Sequence, residues 1–347
     1  MDRSKNVSKG GMWLVGLILV ALLVTVPFAQ AQTPAEIEAA LKAAYTKYQD
    51  LKEGANADYI PALAKVDPKL FGIVLVTADG KVYTAGDVTT EVSIQSISKV
   101  FTMAQVIQEQ GPEVIANTIG VDATGMRFNS IVSVEMSKKL GGGPEMNALV
   151  NPGAITATSL VKGANADEVW GKIIGIENDC AGRSLSVLQD VYKSESETNQ
   201  RNQAIGMLMY AYEYIKSNPS QAVDLYTRQC SIGVNARDLA TMAGTLAFGG
   251  KNPVTKKQVI DTPKIPYILA VMATAGLYDD SGKWLYRTGL PGKSGVGGGI
   301  IAVSPGKFGI AVVSPPLDGA GNSVRAQKAI TDISNALGGN PYASKPK

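Results

Sequence analysis

Two β-rich segments lie near opposite ends of the chain, and the region between them has mostly helical periodicity. Phe71 to Thr77 and Lys81 to Ala85 flank Asp79-Gly80, which predicts a β-hairpin closed by a two-residue turn. Far along the chain, Gly299 to Val303 and Phe308 to Val313 surround a Pro-Gly turn. We therefore expect one antiparallel sheet built from both ends of the chain.

Helices are predicted at both ends and through the centre. Thr33-Pro34-Ala35-Glu36 is a capping box that opens a first helix reaching about Lys52, and Val324 to Leu337 predicts a closing helix. Segment 122–143 is irregular and rich in glycine. The central helical patterns are Ile155 to Val161, Ser184 to Lys193, Arg201 to Ile215, Asn218 to Tyr226, Ala236 to Leu246 and Ile268 to Ala275.

These patterns predict an α/β fold of the α+β type, in which an antiparallel sheet is flanked by the terminal helices and carries an inserted helical region. The sheet would come from about residues 32–95 and 280–340, and the helical region from about 96–279. The sequence has no internal repeat and no long low-complexity linker. We therefore expect residues 32–347 to form one catalytic unit.

The N-terminus has the three parts of a secretory signal. Arg3, Lys5 and Lys9 precede the apolar run Met12 to Val26, and Ala29-Gln30-Ala31 provides a cleavage site after Ala31. The alternative is an uncleaved membrane anchor, but the run is shorter than the roughly 20 residues that a span needs. We expect residues 1–31 to be removed and the protein to be periplasmic or secreted, with no stable membrane anchor.

Charge and composition exclude several function classes. The chain has 33 basic and 30 acidic residues, and removal of Met1–Ala31 takes away three basic residues and one acidic residue. The mature chain is therefore nearly neutral, and it has no basic block that could bind nucleic acid. The chain has no histidine, and Cys180 and Cys230 lack metal-ligand spacing, so we expect no metal and no cofactor. In an exported protein these two cysteines either form a single disulfide or stay free.

Ser96 and Lys99 are the candidate catalytic pair. Without histidine, a serine nucleophile needs another base, and a lysine one helical turn away is suited to that role. Ser96 opens a predicted helix that runs to about Gln110, where backbone N–H groups favour developing negative charge. The alternative interpretation is an ordinary N-cap serine followed by a solvated lysine.

The same spacing recurs at Ser159/Lys162, Ser304/Lys307 and Ser344/Lys347, so context decides among them. Ser304 begins a turn and Ser344 lies in a Pro-rich tail, and Ser96 alone opens a long apolar-rich helix.

Lys293-Ser294-Gly295 supplies a second motif, followed by a glycine-rich segment and a strand. Glycines let a backbone approach a ligand closely, and an N–H at a strand edge polarises a carbonyl. The alternatives are a plain connecting loop or, less well matched in spacing, a phosphate cradle. With Ser96 and Lys99, this motif resembles the Ser-x-x-Lys and Lys-Thr-Gly motifs of penicillin-recognising serine hydrolases.

Other polar groups are suited to an amino-acid ligand. The segment Tyr192 to Asn202 concentrates carboxylates and amides that either bind an ammonium and a carboxylate or form a solvated linker. Asn151 is either a turn residue or a ligand donor. From residue type alone, Tyr226 and Tyr278 are packing residues as readily as functional ones.

Taken together, the chain resembles the serine-dependent glutaminase family, which shares the β-lactamase-like fold of serine β-lactamases and penicillin-binding proteins. The resemblance covers nearly the whole mature chain. It rests on Ala57 to Pro61, Gln95 to Phe101, Gly125 to Ser130, the Asn151 segment, Tyr192 to Asn202, Arg228 to Ser231 and Leu290 to Gly299.

The resemblance implies hydrolysis of L-glutamine through an acyl-enzyme, in a homo-oligomer such as a dimer or tetramer. Ser96 resembles the nucleophile and Lys99 its base, Val296 resembles the residue whose backbone N–H helps to bind the oxyanion, and Tyr278 a tyrosine beside the nucleophile. The residues that resemble glutamine-holding residues of the family are Tyr59, Asn151, Glu195, Asn202 and Tyr226.

We expect Lys293 to supply positive charge that lowers the pKa of Lys99, and Tyr226 or Tyr278 to protonate the leaving ammonia. The chain departs from the family in its export signal and in Pro152, which follows Asn151 and leaves the pose of Asn151 open. Two other functions compete: a periplasmic β-lactamase or D-Ala-D-Ala-processing hydrolase, and a non-catalytic glutamine-binding protein.

Overall fold

The antiparallel sheet expected from the sequence is present and joins the two ends of the chain. The computed structural model describes residues 32–139 and 146–343, so the predicted signal segment Met1–Ala31 lies outside the described residues. The strands of the described residues are β1 (Gly72–Thr77), β2 (Val82–Gly86), β3 (Val92–Ser93), β4 (Gly233–Val234), β5 (Gly292–Ser294), β6 (Gly299–Ser304) and β7 (Phe308–Val313). Five of them form one sheet in the order β2-β1-β7-β6-β5, and β3 pairs with β4.

Helices surround the sheet and fill the centre of the chain. Those near the ends are α1 (Pro34–Tyr48), α2 (Pro61–Ala64), α13 (Ser281–Thr288) and α14 (Val324–Ala336). The central ones are α3 (Ser98–Gln110), α4 (Glu113–Thr118), α5 (Ile131–Lys139), α6 (Asn151–Leu160), α7 (Ala166–Ala181), α8 (Gln189–Glu197), α9 (Gln200–Ala211), α10 (Pro219–Cys230), α11 (Ala236–Ala247) and α12 (Ile265–Ala275).

Pairing between β1 and β7 connects the two ends, because Ile73 lies opposite Val312 across an antiparallel ladder. The residues of β1 alternate between two cores, as the period of a strand requires. Ile73 and Leu75 pack with α1 and α14, whereas Val74 and Val76 belong to the large core shared with the central helices. The prediction of a sheet flanked by terminal helices is confirmed.

The backbones of β7 and α11 touch where two glycines meet. A Cβ atom on Gly309 would lie 2.1 Å from the backbone nitrogen of Gly244. No side chain fits between backbones at that distance, so the central helix lies directly on the sheet. This contact positions the helical region against the part of the sheet that leads to the candidate site.

The β1–β2 hairpin is confirmed, but the two-residue turn is wrong. Thr77 N–H donates to the Lys81 carbonyl, and Gly80 N–H donates to the Thr77 carbonyl. Gly80 has φ +87°, so the connection between Thr77 and Lys81 has three residues and ends in a left-handed glycine.

Several predicted helix boundaries are wrong. The helix expected at Ile155 begins at Asn151, and the first helix ends at Tyr48 rather than near Lys52. The helix expected from Ser184 begins only at Gln189, because Ser186 and Leu188 hydrogen-bond to the segment around β4. Tertiary pairing overrides local periodicity at this point.

Five helices had no counterpart in the prediction: α2, α4, α5, α7 and α13. Helix α5 lies in the segment expected to be irregular. Helix α7 does carry recognisable end signals, since the Asn165 side chain caps its start and Gly182, with φ +78°, ends it.

Both cysteines are free and buried, so of the two alternatives the free thiols are observed. Within the described residues, every helix is too short or too polar to cross a bilayer.

We expect Gly309→Ala to lower the free energy of unfolding by about 2 kcal/mol or more, because the added methyl group would overlap backbone atoms of α11. The matched control is Gly175→Ala in α7, where a Cβ meets open space. This control should raise stability by about 0.5–1 kcal/mol. Denaturant unfolding of both variants checks the pair, and equal stability of the two would contradict the close approach.

Candidate functional site

Ser96 lies in a tight turn at the mouth of a cavity. A 3₁₀ turn, Gln95–Ile97, connects β3 to α3. Ser96 therefore lies just before the α-helix that it was predicted to open. Gln95 has φ +50°, which is rare outside glycine and marks local backbone strain. Ser96 faces a cavity of about 290 Å³. Residues three apart lie on one face of a helix, so Lys99, in the first turn of α3, lies on the same side as Ser96.

Lys99 is buried and its amine makes one polar contact among the described residues. Its side chain is only 1% exposed, and Nζ donates to Asn151 Oδ1 at 2.7 Å. Burial lowers the pKa of Lys99 to about 8, against an opposing effect from Cys230 and Glu195. The amine therefore reaches its neutral, basic form near neutral pH.

Asn151 connects the base to the residues expected to bind the ligand. Its Oδ1 accepts from both Lys99 Nζ and the Tyr226 hydroxyl, and its Nδ2 donates to Asn202 Oδ1 at 2.9 Å. Pro152 does not disturb this pose, because it is the second residue of α6, where a backbone N–H has no intrahelical acceptor. The uncertainty that Pro152 introduced is thereby resolved.

Glu195 places a carboxylate on the opposite wall of the cavity. It lies on α8, is 6% exposed, and accepts a hydrogen bond from Gln95 Nε2 at 3.1 Å. Burial raises the pKa of Glu195 to about 7, with Gln95 and the charge of Lys99 opposing the rise. A cationic ligand beside Glu195 would compensate for the loss of solvation.

Tyr278 contacts Ser96, the candidate nucleophile. Burial raises its pKa to about 12, and a hydrogen bond with Ser96 lowers it. Its hydroxyl also donates to the Ser294 carbonyl at 3.3 Å, and its ring packs on Phe128 with centroids 4.8 Å apart. With φ +57°, Tyr278 is a second strained residue at the site. The phenol therefore carries its proton at neutral pH, next to the Ser96 hydroxyl.

Lys293 lies against Tyr278, and the expectation that its charge lowers the pKa of Lys99 stays a prediction. Nζ donates to the carbonyls of Gly276 and Ser294 and lies 4.2 Å from the Tyr278 ring centroid. Burial first, and then the charge of Lys99, hold the pKa of Lys293 well below its usual value. Burial lowers the pKa of both amines, and their mutual repulsion disfavours the state in which both are charged.

Val296 reaches the site on a loop that only glycine can form. A Cβ on Gly295 would lie 2.7 Å from the Ile94 carbonyl oxygen, and one on Gly297 would lie 2.3 Å from that of Ser93. The loop is therefore pressed against the segment that leads into Ser96. Within the described residues, the Val296 N–H has no hydrogen-bond acceptor, so it is available to an anionic oxygen.

The structure brings the ten predicted site residues to one place in two layers. Three form a buried layer beneath the cavity: Lys99, Tyr278 and Lys293. The others line the cavity: Tyr59, Ser96, Asn151, Glu195, Asn202, Tyr226 and Val296.

The sequence analysis did not single out Gln95 and Phe128, although both lie in motifs that it used. Gln95 connects the nucleophile turn to Glu195, and Phe128 packs on Tyr278. Among the described residues, no group of three or more histidine, cysteine or acidic side chains could hold a metal ion.

Comparison with known proteins identifies the family. The family model described as Glutaminase matches residues 54–342. The chain belongs to the glutaminase family. A glutaminase of Colwellia psychrerythraea is 50% identical over 306 residues, covering 88% of this chain and 97% of the relative. Glutaminase 1 of Shigella flexneri is 47% identical, covering 88% of this chain and 98% of the relative.

Solved glutaminase structures confirm the β-lactamase-like fold. A probable glutaminase named ybaS aligns with a TM-score of 0.87 and 45% identity, covering 90% of this chain and all of that one. A probable glutaminase from Bacillus subtilis, complexed with 6-diazo-5-oxo-L-norleucine, aligns with a TM-score of 0.77 and 26% identity, covering 90% of this chain and 98% of that one. Enzymatic activity of the glutaminase class follows from this membership.

We expect Asn151→Asp to raise the pKa of Lys99 by at least about one pH unit, because it places a carboxylate where the amine now meets a neutral amide oxygen. The measurement is an NMR titration of labelled lysine side chains, with Lys99 assigned from its missing signal in Lys99→Met. Asn165→Asp, at the exposed N-cap of α7, is the matched control. An unchanged titration in Asn151→Asp would contradict the contact between Lys99 and Asn151.

Proposed function

We propose that this glutaminase hydrolyses L-glutamine to L-glutamate and ammonia through an acyl-enzyme on Ser96, with Lys99 as the base. The observation that carries the proposal is the buried amine of Lys99, which is held by Asn151 directly behind a cavity that Ser96 and Glu195 line. One arrangement thus joins an amine-activated nucleophile to groups that recognise an α-amino acid.

The polar groups of the cavity suit the two charged ends of glutamine. Glu195 would face the α-ammonium, and its raised pKa shows the cost of leaving that carboxylate without a cation. Donors for the α-carboxylate would come from the amide of Asn202 and the phenols of Tyr59 and Tyr226. One solved relative is described in its glutamate form, and it is 32% identical to this chain with a TM-score of 0.83.

In the acylation step, neutral Lys99 would accept the proton of the Ser96 hydroxyl as its oxygen attacks the side-chain carboxamide carbon. The backbone N–H groups of Ser96 and Val296 would hold the negatively charged carbonyl oxygen. The observation in favour of Val296 is that its N–H has no acceptor among the described residues.

Of the two tyrosines, Tyr278 is the better donor to the leaving ammonia. Its hydroxyl interacts with Ser96 and donates to the Ser294 carbonyl at 3.3 Å, whereas that of Tyr226 donates at the shorter distance of 3.1 Å to Asn151 Oδ1. As the carbon–nitrogen bond breaks, Tyr278 would protonate the nitrogen, and water would then release glutamate from the ester. The protonated amine of Lys99 would then return its proton to the Tyr278 phenolate, which restores both groups before water attacks the ester.

We also infer that the protein is exported after cleavage near Ala31, on the strength of the basic, apolar and small-residue segments in 1–31. The proposed assembly is a homo-oligomer, as the family resemblance implies.

We expect Ser96→Ala and Lys99→Met to lower ammonia release from L-glutamine by at least about 10³-fold with the fold unchanged, because each removes a group from the covalent step. The assay uses residues 32–347, and circular dichroism monitors folding. Ser159→Ala and Lys162→Met are the matched controls, since they have the same spacing but lie away from the cavity.

Substantial ammonia release by Ser96→Ala would overturn the acyl-enzyme proposal. Hydrolysis of a chromogenic cephalosporin without glutamine turnover would support the β-lactamase alternative instead. Calorimetric binding of glutamine without any ammonia release by the unmodified protein would indicate a non-catalytic binder.

The pH dependence of kcat/KM should show two ionisations. As the pH falls through about 8, kcat/KM should fall because Lys99 becomes protonated and can no longer act as a base. As the pH falls through about 7, kcat/KM should fall more steeply because Glu195 loses the charge that holds the substrate ammonium. The logarithmic slope should therefore approach two at low pH. In Glu195→Gln, one of the two steps should disappear, and a slope of two persisting in that variant would contradict the role of Glu195.

A further inference from the structure

A second cavity adjoins the one that Ser96 faces. It has a volume of about 510 Å³ and shares Tyr59, Phe128, Asn129 and Val296 with the first. Its other walls come from residues 55–58 and 317–321, together with Arg127 and Asp279. Hydrolysis of glutamine itself leaves this space unused, because the leaving group is only ammonia.

The position of the second cavity matches the side from which the amide nitrogen would depart in the proposed reaction. Of the groups proposed to hold the α-carbon end of the substrate, Asn151, Glu195, Asn202 and Tyr226 line the first cavity and not the second, whereas Tyr59 lines both. The wall of the second cavity instead lies near Tyr278, the proposed donor to the leaving nitrogen. A Cβ built on Gly321 would lie 3.6 Å from Val296 Cγ1 and 3.7 Å from Tyr278 Cε2.

Small residues keep this space open beside the leaving group. Gly321 has φ +95°, so a side chain is strained there, and a Cβ on Gly319 would meet nothing within 4 Å. Ala320 lies between them. The turn that carries these residues is held by Asp318, whose Oδ1 accepts from the N–H groups of Ala320 and Asn322. The conformation of this turn therefore keeps the second cavity open.

The charges of the second cavity favour a cation. Its lining contains three carboxylates, those of Asp58, Asp279 and Asp318, against the single guanidinium of Arg127. A primary amine released by hydrolysis carries positive charge at neutral pH, and so does an amine tail on the substituent. An anionic substituent would face net repulsion in the same place.

We propose that this enzyme also hydrolyses N-substituted γ-glutamyl amides whose amine portion occupies the second cavity, with a preference for substituents that carry a cation. The proposal rests on the proposed function and extends its substrate class. Ser96 Oγ forms an ester with the γ-glutamyl carbonyl carbon, and the bond from that carbon to the substituted nitrogen breaks. The nitrogen takes a proton and leaves as a primary amine, and water then cleaves the ester to glutamate.

The first test compares kcat/KM for glutamate release from four substrates. These are L-glutamine, its N-ethyl amide, its N-(2-aminoethyl) amide and γ-glutamylglycine, whose substituent carries a carboxylate. We expect the aminoethyl amide to be within about tenfold of glutamine and at least about tenfold better than γ-glutamylglycine, with the ethyl amide between them.

The second test fills the cavity. Gly319→Trp should lower kcat/KM for both alkyl amides by at least about tenfold and leave glutamine hydrolysis within about twofold. Gly171→Trp is the matched control, because a Cβ there also meets nothing within 4 Å and the residue lies on α7. The double variant Asp58→Asn/Asp279→Asn should remove the preference for the cationic tail.

The outcomes separate the two proposals. Normal glutamine turnover without hydrolysis of either alkyl amide would overturn the second site and leave the proposed function intact. An equal loss for all substrates in Gly319→Trp, with Gly171→Trp unaffected, would also overturn it, because the cavity would then not distinguish the leaving group. Failure of glutamine turnover in the unmodified protein would overturn both proposals.

Discussion

The burial of one lysine amine is the interaction on which the site depends. A chain without histidine has no side chain whose ordinary pKa lies near neutrality, so a lysine must be brought there by removing water from it. At 1% exposure, with a neutral amide oxygen as its close contact, Lys99 is in such an environment. A carboxylate in the position of Asn151 would hold the proton on the amine. The choice of amide over acid therefore matters as much as the burial.

The Asn151 side chain also connects Lys99 to the ligand pocket by hydrogen bonds. Asn151 holds Lys99 on one side and Asn202 on the other, while Tyr226 donates to the same oxygen that Lys99 uses. The proposed base and the proposed substrate-binding groups thus share one hydrogen-bond network, so geometry at either end constrains the other. Gln95 and Tyr278, both with positive φ, also lie at the site, and β7 packs tightly on α11 in the sheet.

Much of this architecture was readable from local pattern. The apolar runs that form β1 and β7 and the capping box at Thr33 each follow from short stretches of sequence, and all are present in the structure. The errors have a common origin. Ser186 and Leu188 are extended because they pair with the β4 segment, and the hairpin turn gains a residue through the left-handed Gly80. Neither effect is visible in hydrophobic periodicity.

The sequence by itself determined the chemical class, because a Ser-x-x-Lys motif, a later Lys-Ser-Gly motif and the absence of histidine restrict the nucleophile and its base. The tertiary structure alone decided the environment of the lysines. Lys99 and Lys293 are the same residue type as the solvated lysines of the surface, and only burial lowers the pKa of these two amines. Solvation and distance set a pKa, and neither is a property of a residue's place along the chain.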